Sequence, residues 1–376
     1  MDQTVSKMQA TTQASFPELA VVIPTFNERE NIAPLAAKLR AALSDIKWEV
    51  VFVDDDSTDG TVQELEKTWR QDPRFRCIRR VGRRGLSSAV IEGIQSTFTP
   101  LVAVMDADLQ HDEMLLVPMF ELLRQNQADL VVGSRYAADA GTGAWDERRL
   151  KISRFATRLS HIVLKGRQLT DPMSGFFMIS RGAFDGTVRN LSAQGYKILV
   201  DIVASAPAGL RIKELPYVFG PRRSGTSKLD PAIVLEYLML LIDKLVGRWI
   251  PSRFVMFALI GGIGVVGHMT VLAAMLATGQ SFVVAQSVAT MAAIAGNFFL
   301  NNILTYRDRR IKGFGPLLLG LLSFYAVCLV GAVANVGIAN FMFVQSYSWW
   351  ISGFCGILVG AVWNYAASSV FTWRHP

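Results

Sequence analysis

The chain predicts a soluble α/β domain with a mostly parallel sheet, then an amphipathic interface helix, then a four-helix transmembrane bundle. Three observations carry this. Short apolar runs alternate with helical patterns from Leu19 to Met105, the pattern of βαβ units. No Asp, Glu, Lys or Arg occurs from Phe254 to Tyr306, or from Gly313 to Trp373; each stretch can hold two spans of the ~20 residues needed to cross a bilayer. The chain is also 51% hydrophobic and only 18% charged, with mean hydropathy +0.30, too apolar for an ordinary soluble enzyme.

Residues 1–15 are polar and lack an apolar core. They read as a flexible tail without a secretory signal. The soluble domain occupies 16–230. Its first strand is Leu19 to Ile23, ending at Pro24, and a helical pattern opened by Asn27-Glu28-Arg29-Glu30-Asn31 runs to Leu43. Glu49 to Val53 is the second strand and Thr61 to Trp69 the next helix. Cys77 to Val81, a helix from Ser87 to Thr97, and the strand Leu101 to Met105 follow. Right-handed crossovers between such strands make the sheet parallel. The polar clusters at the strand ends then gather on one edge, where open α/β sheets bind ligands.

Two of those clusters are acidic. The apolar run to Met105 stops at Asp106-Ala107-Asp108, and two hard oxygen ligands at that spacing suit Mg²⁺ or Mn²⁺ carrying a diphosphate. The alternative is a polar turn with Asp108 capping the next helix. Asp54 and Asp55 end the second strand; a carboxylate there can accept a hydrogen bond from a nucleotide base, or the run Asp54 to Asp59 is only a turn and helix cap. Glu28 reads equally as a first-turn carboxylate favoured by the helix dipole.

The net charge is +7. Lys and Arg cluster near membrane borders and in a few loops, which suits anionic lipid and phosphate and disfavours nucleic acid. Cys77, Cys328 and Cys355 have no metal-ligand spacing, and two lie in apolar segments. A disulfide framework is therefore not expected, and a reducing compartment suits the soluble part.

Six motifs occur in order: Ile23-Pro24-Thr25-Phe26-Asn27-Glu28, Val53-Asp54-Asp55-Asp56-Ser57, Gly85-Leu86-Ser87-Ser88, Asp106-Ala107-Asp108-Leu109-Gln110-His111, Gly133-Ser134-Arg135-Tyr136 and Asp171-Pro172-Met173-Ser174-Gly175-Phe176. Together, over roughly residues 19 to 230, they resemble the dolichol-phosphate mannose synthases, inverting family 2 glycosyltransferases with the GT-A fold. The resemblance implies that Pro24, Phe26, Glu28, Asp54 and Asp55 line the nucleotide pocket. Phe26 stands where the family often has Tyr, which keeps ring stacking and loses a hydroxyl. Asp106, Asp108 and Gln110 would hold Mg²⁺ or Mn²⁺ on the diphosphate, with Asp108 central to turnover. Arg135, Arg149 and Ser153 would meet the acceptor phosphate. Arg222 and Lys228, in an Arg-x-x-Gly-x-Ser-Lys loop, would close over the diphosphate. Without the resemblance, Arg149 and its neighbours read equally as a solvated helix face, and Arg222 to Lys228 as a basic linker beside lipid headgroups.

From 231 to 252, apolar residues recur on a helical period with Glu236, Asp243, Lys244 and Arg248 between them. This reads as an interfacial amphipathic helix, or as a packing helix of the soluble domain. Residues 253–376 hold four spans near 254–277, 282–302, 316–341 and 349–371. They resemble the GtrA-like four-helix membrane domains. The link Arg307-Asp308-Arg309-Arg310-Ile311-Lys312 is basic, while the links near Gly279 and Ser346 carry no charge. The positive-inside rule places both termini, that link and the soluble domain in the cytoplasm.

The resulting expectation is an enzyme that moves mannose from GDP-mannose to dolichyl or polyprenyl phosphate at a bilayer, giving a β-linked lipid-phosphate sugar and GDP. One rival changes the donor to UDP-glucose or another UDP-hexose. A rival of another class is a glycolipid translocator whose soluble domain only binds.

Overall fold

The computed structural model describes residues 16–137, 140–141, 147–193, 195–220, 231–247 and 249–373. The chain divides into two compact units, Met1–Leu245 and Val246–Pro376. In the first, β1 (Leu19–Thr25), α1 (Arg29–Ala42), β2 (Trp48–Asp54), α2 (Thr61–Gln71), β3 (Phe75–Arg79), α3 (Leu86–Gln95) and β4 (Leu101–Val104) alternate as expected. Then come α4 (Leu116–Arg124), β5 (Leu130–Ser134), α5 (Glu147–Val163), β6 (Phe177–Ser180), α6 (Arg181–Asp185), α7 (Ile198–Ser205), β7 (Ile212–Pro216) and α8 (Pro231–Val246).

The seven strands lie in the order β3-β2-β1-β4-β6-β5-β7. All neighbours pair in parallel except β6, which runs antiparallel to both β4 and β5. The sheet is covered on both faces, which is why its central strands read as continuous apolar runs. Alternation sends Leu19, Val21 and Ile23 to the face covered by α1, α2 and α4, and Ala20 and Val22 to the face covered by α3 and α7. Gly93 lets α3 approach that second face: a Cβ there would collide with Val22 and stand 2.9 Å from Val53 Cγ2.

The expected strand at Cys77–Val81 lies two residues earlier, at Phe75–Arg79. Phe75 sets this register: its buried ring packs 5.2 Å from Trp48 and 6.3 Å from Phe52. Cys77 is left on the exposed side.

One face of α8 packs within the first unit. Tyr237, Leu240 and Leu241 pack with Val163 of α5 and Val200 and Ala204 of α7, and the Tyr237 hydroxyl donates to the Ala156 carbonyl at 2.6 Å. Lys244 Nζ lies 2.6 Å from the fully buried Asp201, which also accepts from the Ser192 and Ala193 amides. The packing reading therefore describes this face, while Val234, Leu238 and Leu245 leave a second apolar stripe exposed.

The second unit holds α9 (Ser252–Ala277), α10 (Phe282–Leu300), a wide π turn at Asn301–Thr305, α11 (Phe314–Val344) and α12 (Trp349–Phe371). Among the described residues, four segments are long and apolar enough to cross a membrane: Ser252–Ala277, Val284–Thr305, Phe314–Met342 and Phe354–Phe371. They coincide with the four expected spans to within a few residues.

Removing the Lys244 charge should strand the buried Asp201 carboxylate, a loss of about 3–5 kcal/mol for a broken buried pair. Lys244→Met is expected to lower the thermal midpoint of the detergent-solubilised protein by several degrees. Adding Asp201→Asn should recover part of that loss.

Candidate active site at the carboxyl edge of the sheet

Strand polarity assembles the site. The C-terminal ends of β1, β2, β3, β4, β5 and β7 share one edge, and reversed β6 contributes its N-terminal end. The segments after Thr25, Asp54, Arg79, Val104, Ser134 and Pro216, and the one before Phe177, therefore meet there. The six motifs singled out above lie in these segments, while Arg149 and Ser153 lie on α5.

The β1 and β2 loops are tied together. Asn27, in left-handed backbone (φ 56°), donates its amide to Ser57 Oγ at 2.8 Å and accepts from the Thr58 amide at 3.0 Å. The Glu28 amide donates to Thr61 Oγ1, and the Arg29 amide to Asp59. Glu28 is half-buried and accepts from Asn31 Nδ2 at 2.6 Å. Ser57 and Asp59 thus do the turn work expected of them.

Asp54 and Asp55 are both held by the protein itself. Asp54 is fully buried. One of its oxygens accepts from the Ser57 amide at 3.0 Å; Oδ1 has no hydrogen-bond partner in the protein. Asp55 accepts from Arg80 Nη1 and from the Gly85 amide, both at 2.7 Å. Burial pushes the Asp55 carboxyl above the usual range, against the lowering pull of Gly85 and Arg80. What faces outward on this side is half-buried Pro24 and Phe26, with the Arg84 guanidinium 4.1 Å over the Phe26 ring. Sequence reading missed Arg80 and Arg84. The signal was the basic run Arg79-Arg80-Val81-Gly82-Arg83-Arg84 directly after a strand of this edge.

The acidic turn after β4 is built around Leu109, which adopts left-handed backbone (φ 61°). Asp108 is buried, and its Oδ1 accepts from the Gln110 amide at 3.2 Å. The Asp106 side chain is 38% exposed. Gly175 makes room for it, since a Cβ there would stand 2.9 Å from Asp106 Oδ2. Gln110 Nε2 donates to the Gly220 carbonyl at 2.8 Å, and the Gly220 amide returns a bond to the Gln110 carbonyl at 2.9 Å. His111 organises the turn from beneath. Its Nδ1 accepts from the Asp106 amide, and its ring stacks 5.0 Å from Phe176. Burial pushes it down to about 4, so the ring is neutral near pH 7. Among the described residues, no group of three or more His, Cys, Asp or Glu could hold a metal. Asp106, Asp108 and Gln110 could offer only hard oxygen donors, a chemistry that would suit Mg²⁺ or Mn²⁺.

Arg135 is clamped by Asp171. Nε and Nη2 reach its two oxygens at 2.7 and 2.8 Å, and the Arg135 amide adds a third bond at 3.0 Å. Burial works against the Arg135 charge, but the bonds to Asp171 outweigh it and raise its pKa. Glu214 in turn accepts from the Thr170 and Asp171 amides. The Tyr136 hydroxyl donates to Ser153 Oγ at 2.8 Å. Aromatic packing connects the acidic turn with this pair: the buried Tyr217 ring lies 6.0 Å from His111 and 6.3 Å from Phe219, the Arg135 guanidinium lies 5.4 Å from the Phe219 ring, and His111 Nε2 lies 3.7 Å from Asp106 Oδ2. The structuring roles of Asp171 and Tyr217 were not read from sequence. Arg149 lies on α5 with its side chain outside the described residues, as are Arg222 and Lys228.

Residues 20–187 match the glycosyl transferase family 2 model, and residues 256–373 match the GtrA/DPMS transmembrane domain model. The dolichol-phosphate mannosyltransferase of Pyrococcus furiosus is 32% identical over 95% of this chain and 99% of its own length. That of Saccharomyces cerevisiae is 34% identical over 64% of this chain and 91% of its own. Among solved structures, glucosyl-3-phosphoglycerate synthase from Mycobacterium tuberculosis, in complex with Mn²⁺, UDP and phosphoglyceric acid, superposes with TM-score 0.45 at 17% identity, covering 61% of this chain and 78% of that one. With a relative matched along nearly its whole length, and with both the catalytic and the membrane models in place, the chain belongs to the dolichol-phosphate mannosyltransferase family of glycosyltransferases.

Proposed function

We propose that this membrane protein transfers mannose from GDP-mannose to dolichyl or another polyprenyl phosphate, with inversion, releasing GDP and a β-linked lipid-phosphate mannose. The observation that carries the reading is the two carboxylates Asp106 and Asp108 directly after β4, linked through His111 and Phe219 to the Arg135–Asp171 pair. The names of the relatives support the substrate class.

In this reading Pro24, Phe26 and Arg84 receive the base, with Glu28 at the rim. Asp54 and Asp55 act through the loop they brace. Asp106, Asp108 and Gln110 hold Mg²⁺ or Mn²⁺, which when bound supplies neutralising charge for the leaving diphosphate. Arg222 and Lys228 add to that neutralisation. Arg135, Arg149 and Ser153 position the acceptor phosphate. A phosphate monoester is already anionic at neutral pH, so its oxygen attacks without a dedicated base. The new bond from that oxygen to the anomeric carbon forms as the bond to the diphosphate breaks on the opposite face, which inverts the centre. Arg253, the basic link 307–312 and Arg374 support placing the catalytic unit and both termini in the cytoplasm.

The decisive experiment crosses GDP-mannose and UDP-glucose, each radiolabelled, with short and long polyprenyl phosphates on the purified protein. Lipid-linked mannose from GDP-mannose alone is the expected product; none from either donor would sink the reading, and label from UDP-glucose would replace it with the donor rival. Asp108→Asn should lower kcat by at least about 100-fold, the scale of one lost transition-state contact, while circular dichroism stays unchanged. EDTA should abolish turnover, with Mg²⁺ or Mn²⁺ restoring it. Arg84→Ala should raise KM for the donor by up to about tenfold and leave kcat within about twofold, as expected for loss of a stacking cation at a partly exposed site.

A further inference from the structure

The membrane unit contains a regularity that the proposed reaction does not use. Gly264 on α9 packs against Asn297 on α10 so closely that a Cβ on the glycine would overlap the amide. Gly331 on α11 meets Asn364 on α12 in the same way. The two pairs are offset by 67 positions, and the same offset runs through both hairpins. It carries Phe257 onto Phe324 and Ile260 onto Val327. It also carries Ile303-Leu304-Thr305-Tyr306-Arg307 onto Val370-Phe371-Thr372-Trp373-Arg374.

Apolar composition can make two membrane hairpins look alike. It does not make their contacts interchange. Around a two-fold axis, a residue on the axis touches its own counterpart, and each off-axis contact occurs twice. Both signs are present. The counterparts Phe257 and Phe324 have ring centroids 6.3 Å apart. The counterparts Tyr306 and Trp373 stack at 4.2 Å with planes 8° apart. Off the axis, Phe257 lies 5.8 Å from Tyr365. Exchanging the hairpins converts that contact into Phe324 with Phe298, which is found at 6.0 Å.

We infer that the membrane unit is a tandem duplication of one two-span hairpin, and that the aromatic face of each hairpin is a self-complementary surface whose partner is the other copy. Each repeat contains an even number of spans, so both hairpins run in the same direction and the axis follows the membrane normal. The axial contacts lie at the end where α9 and α11 begin and where both repeats close on an aromatic residue followed by Arg. The repeats differ where Asn301–Thr305 forms a π turn while its counterpart, Ser368–Thr372, continues the α-helix to Phe371, and in one hydrogen bond. Trp373 Nε1 donates to Asn302 Oδ1 at 3.1 Å. The counterpart of Asn302 is Ser369, matching the fact that Tyr306 has no indole N–H to satisfy.

The test uses the full chain in native membranes, with Cys77→Ser, Cys328→Ala and Cys355→Ala as background and a protease site inserted after Lys312. Two cysteine pairs, Phe257→Cys with Tyr365→Cys and Phe298→Cys with Phe324→Cys, are treated with a short bis-methanethiosulfonate and then cleaved. Duplication predicts that both pairs keep the fragments joined, with yields within about twofold. Linkage of one pair and not the other would overturn it. Should those core variants fail to fold, single cysteines at the exposed turn positions Gln280 and Gln345 carry the test, since neither disturbs the packed rings. Both should react with an impermeant maleimide from the same side of the membrane. Reaction from opposite sides would rule out parallel repeats.

Discussion

Everything at the catalytic edge depends on strand polarity. Hydrogen-bonding β1, β2, β3, β4 and β5 in one direction delivers their following loops to a single rim, and no local preference of those loops could do so. The reversal of β6 extends this arrangement. Because it runs the other way between β4 and β5, its preceding segment, Asp171 to Phe176, arrives at the rim from the front. That places Asp171 against Arg135 and Gly175 against Asp106. The cost of collecting so many carboxylates in one place is mutual repulsion and desolvation. Two buried guanidiniums, Arg80 and Arg135, offset it by each pairing with one of them at 2.7 Å.

The legible part of the molecule was the part encoded locally. β1 to β4 announced themselves as apolar runs with turn residues after them, and the acidic pairs stood at their ends. The four membrane spans followed from the absence of charge over their length. What escaped reading depends on partners distant in sequence. The pairing of Arg135 with Asp171 spans 36 positions, and the hold of Gln110 on Gly220 spans 110; neither residue alone signals its partner. β5, β6 and β7 were not separately resolved in the sequence reading, because a four- or five-residue apolar run gives no indication of direction. α8 shows the limit of periodicity. Its pattern revealed an amphipathic helix, but one apolar stripe meets α5 and α7 and another stays exposed, and a single helical period does not distinguish the two.

The membrane unit was readable as four spans and unreadable as two repeats for a related reason. Lipid imposes apolar side chains nearly everywhere, so most of each hairpin is free to drift among Leu, Ile, Val, Phe and Ala. Only positions under a geometric constraint keep their identity: a glycine where an asparagine side chain crosses, and aromatic residues where the two copies meet. These are too sparse to stand out in the sequence and become visible when contacts supply the alignment.

The pairing of Arg135 bears on how the proposed reaction uses charge. Asp171 takes Nε and an Nη2 hydrogen of Arg135, and a guanidinium fork paired in this way has its plane fixed before any phosphate arrives. Its net charge is largely balanced by the same carboxylate. Arg135 is therefore suited to directing an acceptor phosphate and poorly suited to neutralising one. In the proposed scheme neutralisation falls to the metal that Asp106 and Asp108 would hold and to Arg222 and Lys228. That division is physically economical. Rigid, compensated groups define where the reacting oxygen sits, and uncompensated charge is brought in with the donor, at the moment when the diphosphate begins to leave.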